Sequence, residues 1–162
     1  MKTVESLRST LLSLFLFLFL GGCVNREQPQ QNPPRLSPKV VMTDVTFRSA
    51  ALGREMPYRI VTPSSISPGQ KLPVVYLLHG GGGGFRDWTN YSNVAKYAES
   101  EMILVMPEGN SSYYTNSAEH PEDRYEDYIV HDLISEVENK YALATGRKNR
   151  AVAGFPWAGT AR

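Results

Sequence analysis

The strongest constraint on how this chain can fold is the junction at residues 73–84, where PVVYLL runs into His79 and then five glycines, Gly80 to Gly84. A run that is apolar on both faces suits a central parallel strand covered on each side by helices. Glycines so concentrated favour neither helix nor strand, and they let main-chain N–H groups point into a cavity without side-chain obstruction. A buried strand ending in a bare main-chain turn belongs to a parallel α/β sheet, whose ligands gather beyond the carboxyl ends of its strands.

The rest of the chain supplies the neighbours such a strand needs. Residues 45–49 (VTFRS) and 57–61 (PYRIV) alternate like half-buried strands, with Gly53 in the turn between them. A Pro- and Ser-rich loop spans residues 62–69. Asn90 or Ser92 caps a short helix with Val94, Tyr97 and Ala98 on its inner face. Residues 102–106 (MILVM) read as a second continuous apolar strand closed by Pro107. The clearest helix covers 125–141. Its inner stripe is Ile129, Val130, Leu133, Ile134, Val137 and Tyr141, with Asp127, Asp132, Glu136 and Asn139 facing away. Gly146 stands past its end as a terminator, and residues 149–154 (NRAVAG) read as a third buried strand. The expected fold is therefore α/β, with an antiparallel start, then parallel strands with helices on both faces.

Three segments are expected: 1–22 as an export signal, 23–38 as a tether, and 39–162 as a partial α/β domain. Lys2 and Arg8 flank a basic start, and the apolar stretch from Leu11 to Leu20 is too short to cross a bilayer as a mature helix but suits a signal core. The ending Leu20-Gly21-Gly22-Cys23 resembles a bacterial lipobox, in which the cysteine becomes the lipidated first residue. An ordinary secretory signal with an incidental cysteine is the alternative, although lipidation also explains why the chain's single cysteine sits here. On the first reading the protein is exported and lipid-anchored to the cell envelope, and Val24 points to an outer membrane. The Gln-, Asn- and Pro-rich residues that follow make a solvated, semi-extended tether.

Composition removes several functions. Seventeen basic and sixteen acidic residues leave a net charge of +1 without like-charge blocks, so no nucleic-acid partner is expected. One cysteine excludes an internal disulfide framework. His79, His120 and His131 are scattered, so neither a metal nor another cofactor is expected. Two chemistries use a glycine turn like 80–84. Phosphate binding wants a Lys-Ser or Lys-Thr pair and an immediate helix, whereas Phe85-Arg86-Asp87-Trp88 follows here. An oxyanion hole, whose amides stabilise charge on an ester carbonyl oxygen, fits the position after a strand better. A glycine loop without a ligand is the remaining alternative.

Tyr76-Leu77-Leu78-His79-Gly80-Gly81, Asp87-Trp88, Met106-Pro107-Glu108-Gly109 and Arg150-Ala151-Val152-Ala153-Gly154 together resemble the esterase family of α/β-hydrolases. That family contains S-formylglutathione hydrolases, feruloyl and acetyl esterases and the mycolyltransferases. The likeness runs from about residue 40 to 155. It implies a small-molecule ester substrate, an oxyanion amide from Gly81 and a second from Trp157, and an acyl or alcohol pocket at residues 110–116 with Tyr113, Tyr114 and Asn116. A surface turn with locally packed tyrosines is the equal alternative for that segment. His79 does not match the family's catalytic histidine, which follows the nucleophile, and a structural role is expected for it.

Family members carry Gly-x-Ser-Met-Gly-Gly at the nucleophile elbow, where this chain reads Gly154-Phe155-Pro156-Trp157-Ala158-Gly159. Pro156 has no hydroxyl, and its ring fixes φ near −65°, unsuited to the strained elbow. No acid or histidine follows it, so no catalytic residue is assigned and the chain is expected to be inactive and incomplete. The ending fits a shifted frame. GGC TTT TCC ATG GGC GGG TAC GGC GCG encodes Gly-Phe-Ser-Met-Gly-Gly-Tyr-Gly-Ala, and loss of one T yields Gly-Phe-Pro-Trp-Ala-Gly-Thr-Ala-Arg, the sequence of residues 154–162. Met followed by Gly always gives Trp in that frame. Such a product would expose the strand at 151–153 and be prone to aggregation. The competing reading is a non-catalytic envelope lipoprotein that uses the half-fold as a binding module.

Overall fold

The computed structural model describes residues 36–155. Five strands form one mixed sheet in the order β1-β2-β4-β3-β5: β1 Val40–Ser49, β2 Arg54–Pro63, β3 Val74–Leu78, β4 Ile103–Pro107 and β5 Arg150–Gly154. β1 and β2 pair antiparallel around Gly53, which takes φ +62° in the connecting turn. β2 pairs antiparallel with β4, while β3 lies parallel to both β4 and β5. The antiparallel start and parallel continuation follow the sequence reading. Both hairpin strands are longer than their alternating cores, because ten consecutive residue pairs are in register from Val40–Pro63 to Ser49–Arg54.

Side-chain alternation divides the core between the two sheet faces. Met56, Tyr58 and Ile60 of β2, Val74 and Tyr76 of β3, and Ile103 and Val105 of β4 meet Tyr125, Tyr128, Leu133 and Val137 on one side. Val61, Leu77, Leu104 and Met106 meet Val94, Ala95 and Ala98 on the other. The segment carrying those last residues is a 3-10 helix at Val94–Ser100, preceded by a short α-helix, α1, at Asp87–Tyr91. Neither Asn90 nor Ser92 is its N-terminal cap. Asn93 holds that position without a side-chain hydrogen bond. Tyr97, expected inside, is 52% exposed, and the buried residues are Val94, Ala95 and Ala98, the last two stacked three apart by the 3-10 winding.

The long helix departs from its regular stripe for a related reason. It opens as α2 at Tyr125–Asp127, widens to a π-helix at Tyr128–Leu133, and closes as α3 at Ile134–Lys140. The wide turn brings residues five apart onto one face, so Tyr128 and Leu133 are both buried while Val130 is 49% exposed. Ile129, Ile134 and Tyr141 pack only partly against the core. The same rotation corrects the outward face. Asp132 accepts hydrogen bonds from Ser49 Oγ at 2.6 Å and the Ala51 amide at 2.9 Å, tying the helix to the β1–β2 turn. Asp127 and Glu136 are also mostly covered, and Glu136 pairs with Lys140. Gly146 does not end this helix, which stops at Lys140 with Tyr141 in extended backbone. Gly146, at φ +94°, instead precedes a 3-10 turn at Arg147–Asn149 that leads into β5.

β5 is a strand, as expected; it is not the buried strand that its composition suggests but the exposed edge expected at 151–153. Ala151 to Gly154 are exposed, Val152 to 66%. A parallel strand is buried only where helices cover both its faces. Among the described residues, the helices pack over the strands on the other side of β3. Removing the Asp132 carboxylate should destabilise the domain by about 1–3 kcal/mol, since Ser49 Oγ and the Ala51 amide would lose a charged acceptor. Chemical denaturation of Asp132→Ala beside the parent chain checks this, and an unchanged midpoint would show that the tie contributes nothing.

Candidate functional site

β3 and β4 run parallel as neighbours, so their carboxyl ends deliver His79 and Glu108 side by side. His79 is only 1% exposed. Its Nδ1 lies 2.8 Å from the Gly80 carbonyl. Its Nε2 faces both the Gly109 amide at 2.8 Å and Glu108 Oε1 at 3.1 Å. A neutral ring with its proton on Nδ1 donates to Gly80 and accepts from Gly109, whereas a protonated ring offers Nε2–H to Glu108. Burial opposes the charged ring, but the Glu108 carboxylate and the Gly80 carbonyl outweigh it, and the His79 pKa lies above its ordinary value. Burial likewise pushes the Glu108 carboxyl up. His79 together with the Asn110 and Phe85 amides pulls it further down, below the usual carboxylate range. His79 thus links the carboxyl ends of β3 and β4 through its ring nitrogens.

The glycine turn is held from several sides. The Gly83 amide donates to the Gly80 carbonyl at 3.1 Å, and Gly82 takes φ +73° at the third position, the pattern of a type II turn. Asp87 Oδ2 accepts from the Gly84 amide at 3.0 Å, while the Asp87 amide donates to the Gly84 carbonyl at 3.0 Å. Glu108 Oε2 accepts from the Phe85 amide at 3.3 Å. Trp88 Nε1 donates to the Leu78 carbonyl at 3.0 Å, and its ring stacks on Phe155 with centroids 4.0 Å apart. Gly81 occupies the second position of the turn, partly exposed, and its amide makes no hydrogen bond among the described residues. A free amide on a fixed turn can receive an electron-rich oxygen.

The residues expected to line a pocket separate. Tyr113 is 64% exposed and borders a cavity of about 550 Å³ with Arg54, Asn110 and Tyr125. Tyr114 turns inward. Its hydroxyl accepts from the His79 amide at 3.1 Å, and its ring meets the His79 ring edge-on with centroids 5.6 Å apart. Burial pushes its phenol pKa up. Tyr114 is held at φ +58°, and a methyl on Gly109 would come within 2.4 Å of its ring. Asn116 closes the start of α2, its Oδ1 accepting from the Glu126 amide at 3.1 Å and its Nδ2 donating to Asp127. Tyr114 and Asn116 thus organise the segment and do not border the cavity. Pro156, Trp157 and Cys23 lie outside the described residues.

Glu108 entered the sequence reading only within the Met106–Gly109 motif and without a role of its own, and Arg54 and Tyr125 were given none. An acid directly after the apolar strand closed by Pro107 was the available signal for Glu108. Nothing local marks Arg54 and Tyr125, which are brought together from positions 71 residues apart.

A five-stranded mixed sheet covered on two faces, with a glycine turn after its central parallel strand, defines an α/β-hydrolase half-fold. The family model described as "Putative esterase" matches residues 49–161, and the chain belongs to that esterase family. An esterase of Mycobacterium tuberculosis is 28% identical over 127 residues, which cover 70% of this chain and 26% of that protein. Among solved structures, a ferulic acid esterase superposes with TM-score 0.63 at 25% identity, covering 72% of this chain and 48% of its own. An S-formylglutathione hydrolase from Staphylococcus aureus has TM-score 0.61 at 22% identity, covering 71% and 47%, a likeness of fold. The chain spans about a quarter of the length of the curated relatives it matches and about half that of these structures.

Two outcomes follow from this geometry. Gly109→Ala should cost about 1–3 kcal/mol by forcing the Tyr114 ring off its seat, measured by denaturation. Glu108→Gln should lower the His79 pKa, read from the NMR titration of its Cε1 proton, because burial is then opposed only by the Gly80 carbonyl and Asp87; a rise would contradict the assignment. Glu108 is depressed from 4.5 and His79 raised from 6.5, so the stabilisation by the pair is fully present between those values. It declines as pH falls through the folded value of Glu108 and as pH rises through that of His79.

Proposed function

We propose that the chain derives from a serine carboxylic-ester hydrolase acting on small-molecule esters, and that the polypeptide as written does not turn over. The observation that carries the ancestry is the Gly81 amide, without a hydrogen bond among the described residues, on a braced turn at the end of buried β3. In this reading it receives the negative charge that develops on the ester carbonyl oxygen, with the Trp157 amide as its partner. Tyr113 and its cavity take part of the substrate. Pro156 stands where the attacking serine belongs, and proline offers neither a hydroxyl nor the backbone freedom of an elbow. The shifted reading frame over residues 154–162 accounts for that substitution and for Trp157 together. Export and lipidation at Cys23 would hold the protein at an envelope membrane.

Hydrolysis of p-nitrophenyl acetate, assayed on this chain and on a frame-restored version, tests both halves of the proposal. The given chain should be silent and the restored one active through its serine. Serine-dependent turnover by the given chain would refute its inactivity. A folded but silent restored protein would favour the binding-module alternative. In the restored protein, Gly81→Pro should lower kcat by about 10²–10³-fold, the scale for losing one oxyanion donor. Proline suits the second position of this turn and removes the amide proton.

A further inference from the structure

The cavity beside Tyr113 has a polar wall to which the ester-hydrolase reading assigns no recognition chemistry. None of its lining comes from the glycine turn, and its volume of about 550 Å³ lies within the range of small-molecule sites. Arg54, the first residue of β2, sends Nη2 to the Tyr125 hydroxyl at 2.5 Å, with Asp123 Oδ1 at 3.5 Å. Its Nε and Nη1 donate to nothing among the described residues, and its side chain is 47% exposed. Asn110, held at φ +48°, donates its Nδ2 to the same Tyr125 hydroxyl at 2.6 Å.

The Tyr125 oxygen therefore accepts from two N–H groups. A phenolic oxygen so occupied can add only one more bond, by donating its own proton. No acceptor for that proton is present among the described residues, and Tyr125, 4% exposed, borders the cavity. A guanidinium edge and a phenolic O–H thus converge on one space. Charge-assisted donors in that arrangement select an oxygen acceptor with negative charge. Ser111 and Thr115 add hydroxyls to the lining, and the Asp123 carboxylate can accept from a ligand hydroxyl while repelling a second negative charge. A multiply charged phosphate fits this wall poorly.

We propose that this cavity binds the carboxylate of a small, hydroxyl-bearing monocarboxylic acid, with Arg54 and Tyr125 as its donors and Asp123 as its limit on charge. The inference rests on reading the cavity as a ligand site, and not on ester hydrolysis.

Calorimetric titration of the full chain with D-gluconate, and with sorbitol as the uncharged control, tests it. Gluconate should bind saturably and sorbitol at least about tenfold more weakly, the scale of one charge-assisted contact. Arg54→Met should weaken gluconate by about tenfold or more. Asp123→Asn should tighten gluconate several-fold, because an opposing carboxylate is removed and Arg54 is released; a purely structural role for Asp123 gives no such gain. Equal binding of sorbitol, unchanged binding by Arg54→Met, or weaker binding by Asp123→Asn would each overturn the proposal. Should Arg54→Met fail to fold, the sign of the Asp123→Asn change decides. Binding is read without catalysis, so a silent esterase assay and a failed titration remain separate results.

Discussion

The contact between His79 and Glu108 is the one on which the rest of the site depends. It exists because β3 and β4 are parallel neighbours, so the first residues beyond their ends must share the same space. A buried imidazole and a buried carboxylate are each costly alone, and each is tolerable once hydrogen-bonded to the other and to main-chain groups. His79 meets the Gly80 carbonyl and the Gly109 amide, while Glu108 meets the Phe85 and Asn110 amides. One hydrogen-bonded pair therefore sets both ends of the glycine turn and the start of the segment that follows β4.

A second network fixes α1, which follows the glycine turn, to the hairpin. Arg59, 7% exposed, gives Nε to Asp44 at 2.6 Å and Nη1 to Thr89 at 2.7 Å. Asp44 also accepts from Arg86 at 2.9 Å. The Arg59 guanidinium beside it, helped by Arg86, holds the Asp44 carboxyl below its usual range. Thr89 returns its hydroxyl proton to the Arg86 carbonyl. The turn is thus braced on one side by Glu108 and on the other through α1, and its main chain stays open at Gly81.

Much of this was legible because it is local or periodic. The runs before His79 and before Glu108 announce buried strands by being apolar on both faces, and the alternation in β2 announces a hairpin. The glycine turn is legible because no other residue type adopts φ +73° at Gly82 at so little cost. Tyr128 and Leu133 show where periodicity fails, since a π-helical turn shifts the buried face and a 3.6-residue stripe cannot anticipate it. Tyr113, Tyr114 and Asn116 look alike in sequence, as polar or aromatic residues in one loop. Their fates diverge because only Tyr114 reaches His79, and only Asn116 meets the free amides at the start of α2.

By itself the sequence determined the order of the strands along the chain, the glycine turn and the family signature, since each depends on residue chemistry or short-range pattern. Tertiary structure alone decided that Glu108 would pair with His79, that Asp132 would face the hairpin, that Tyr114 would turn in onto His79, and that Arg54 would meet Tyr125. Those four outcomes depend on which strands and helices become neighbours, and neighbours in space are chosen by the burial of whole faces.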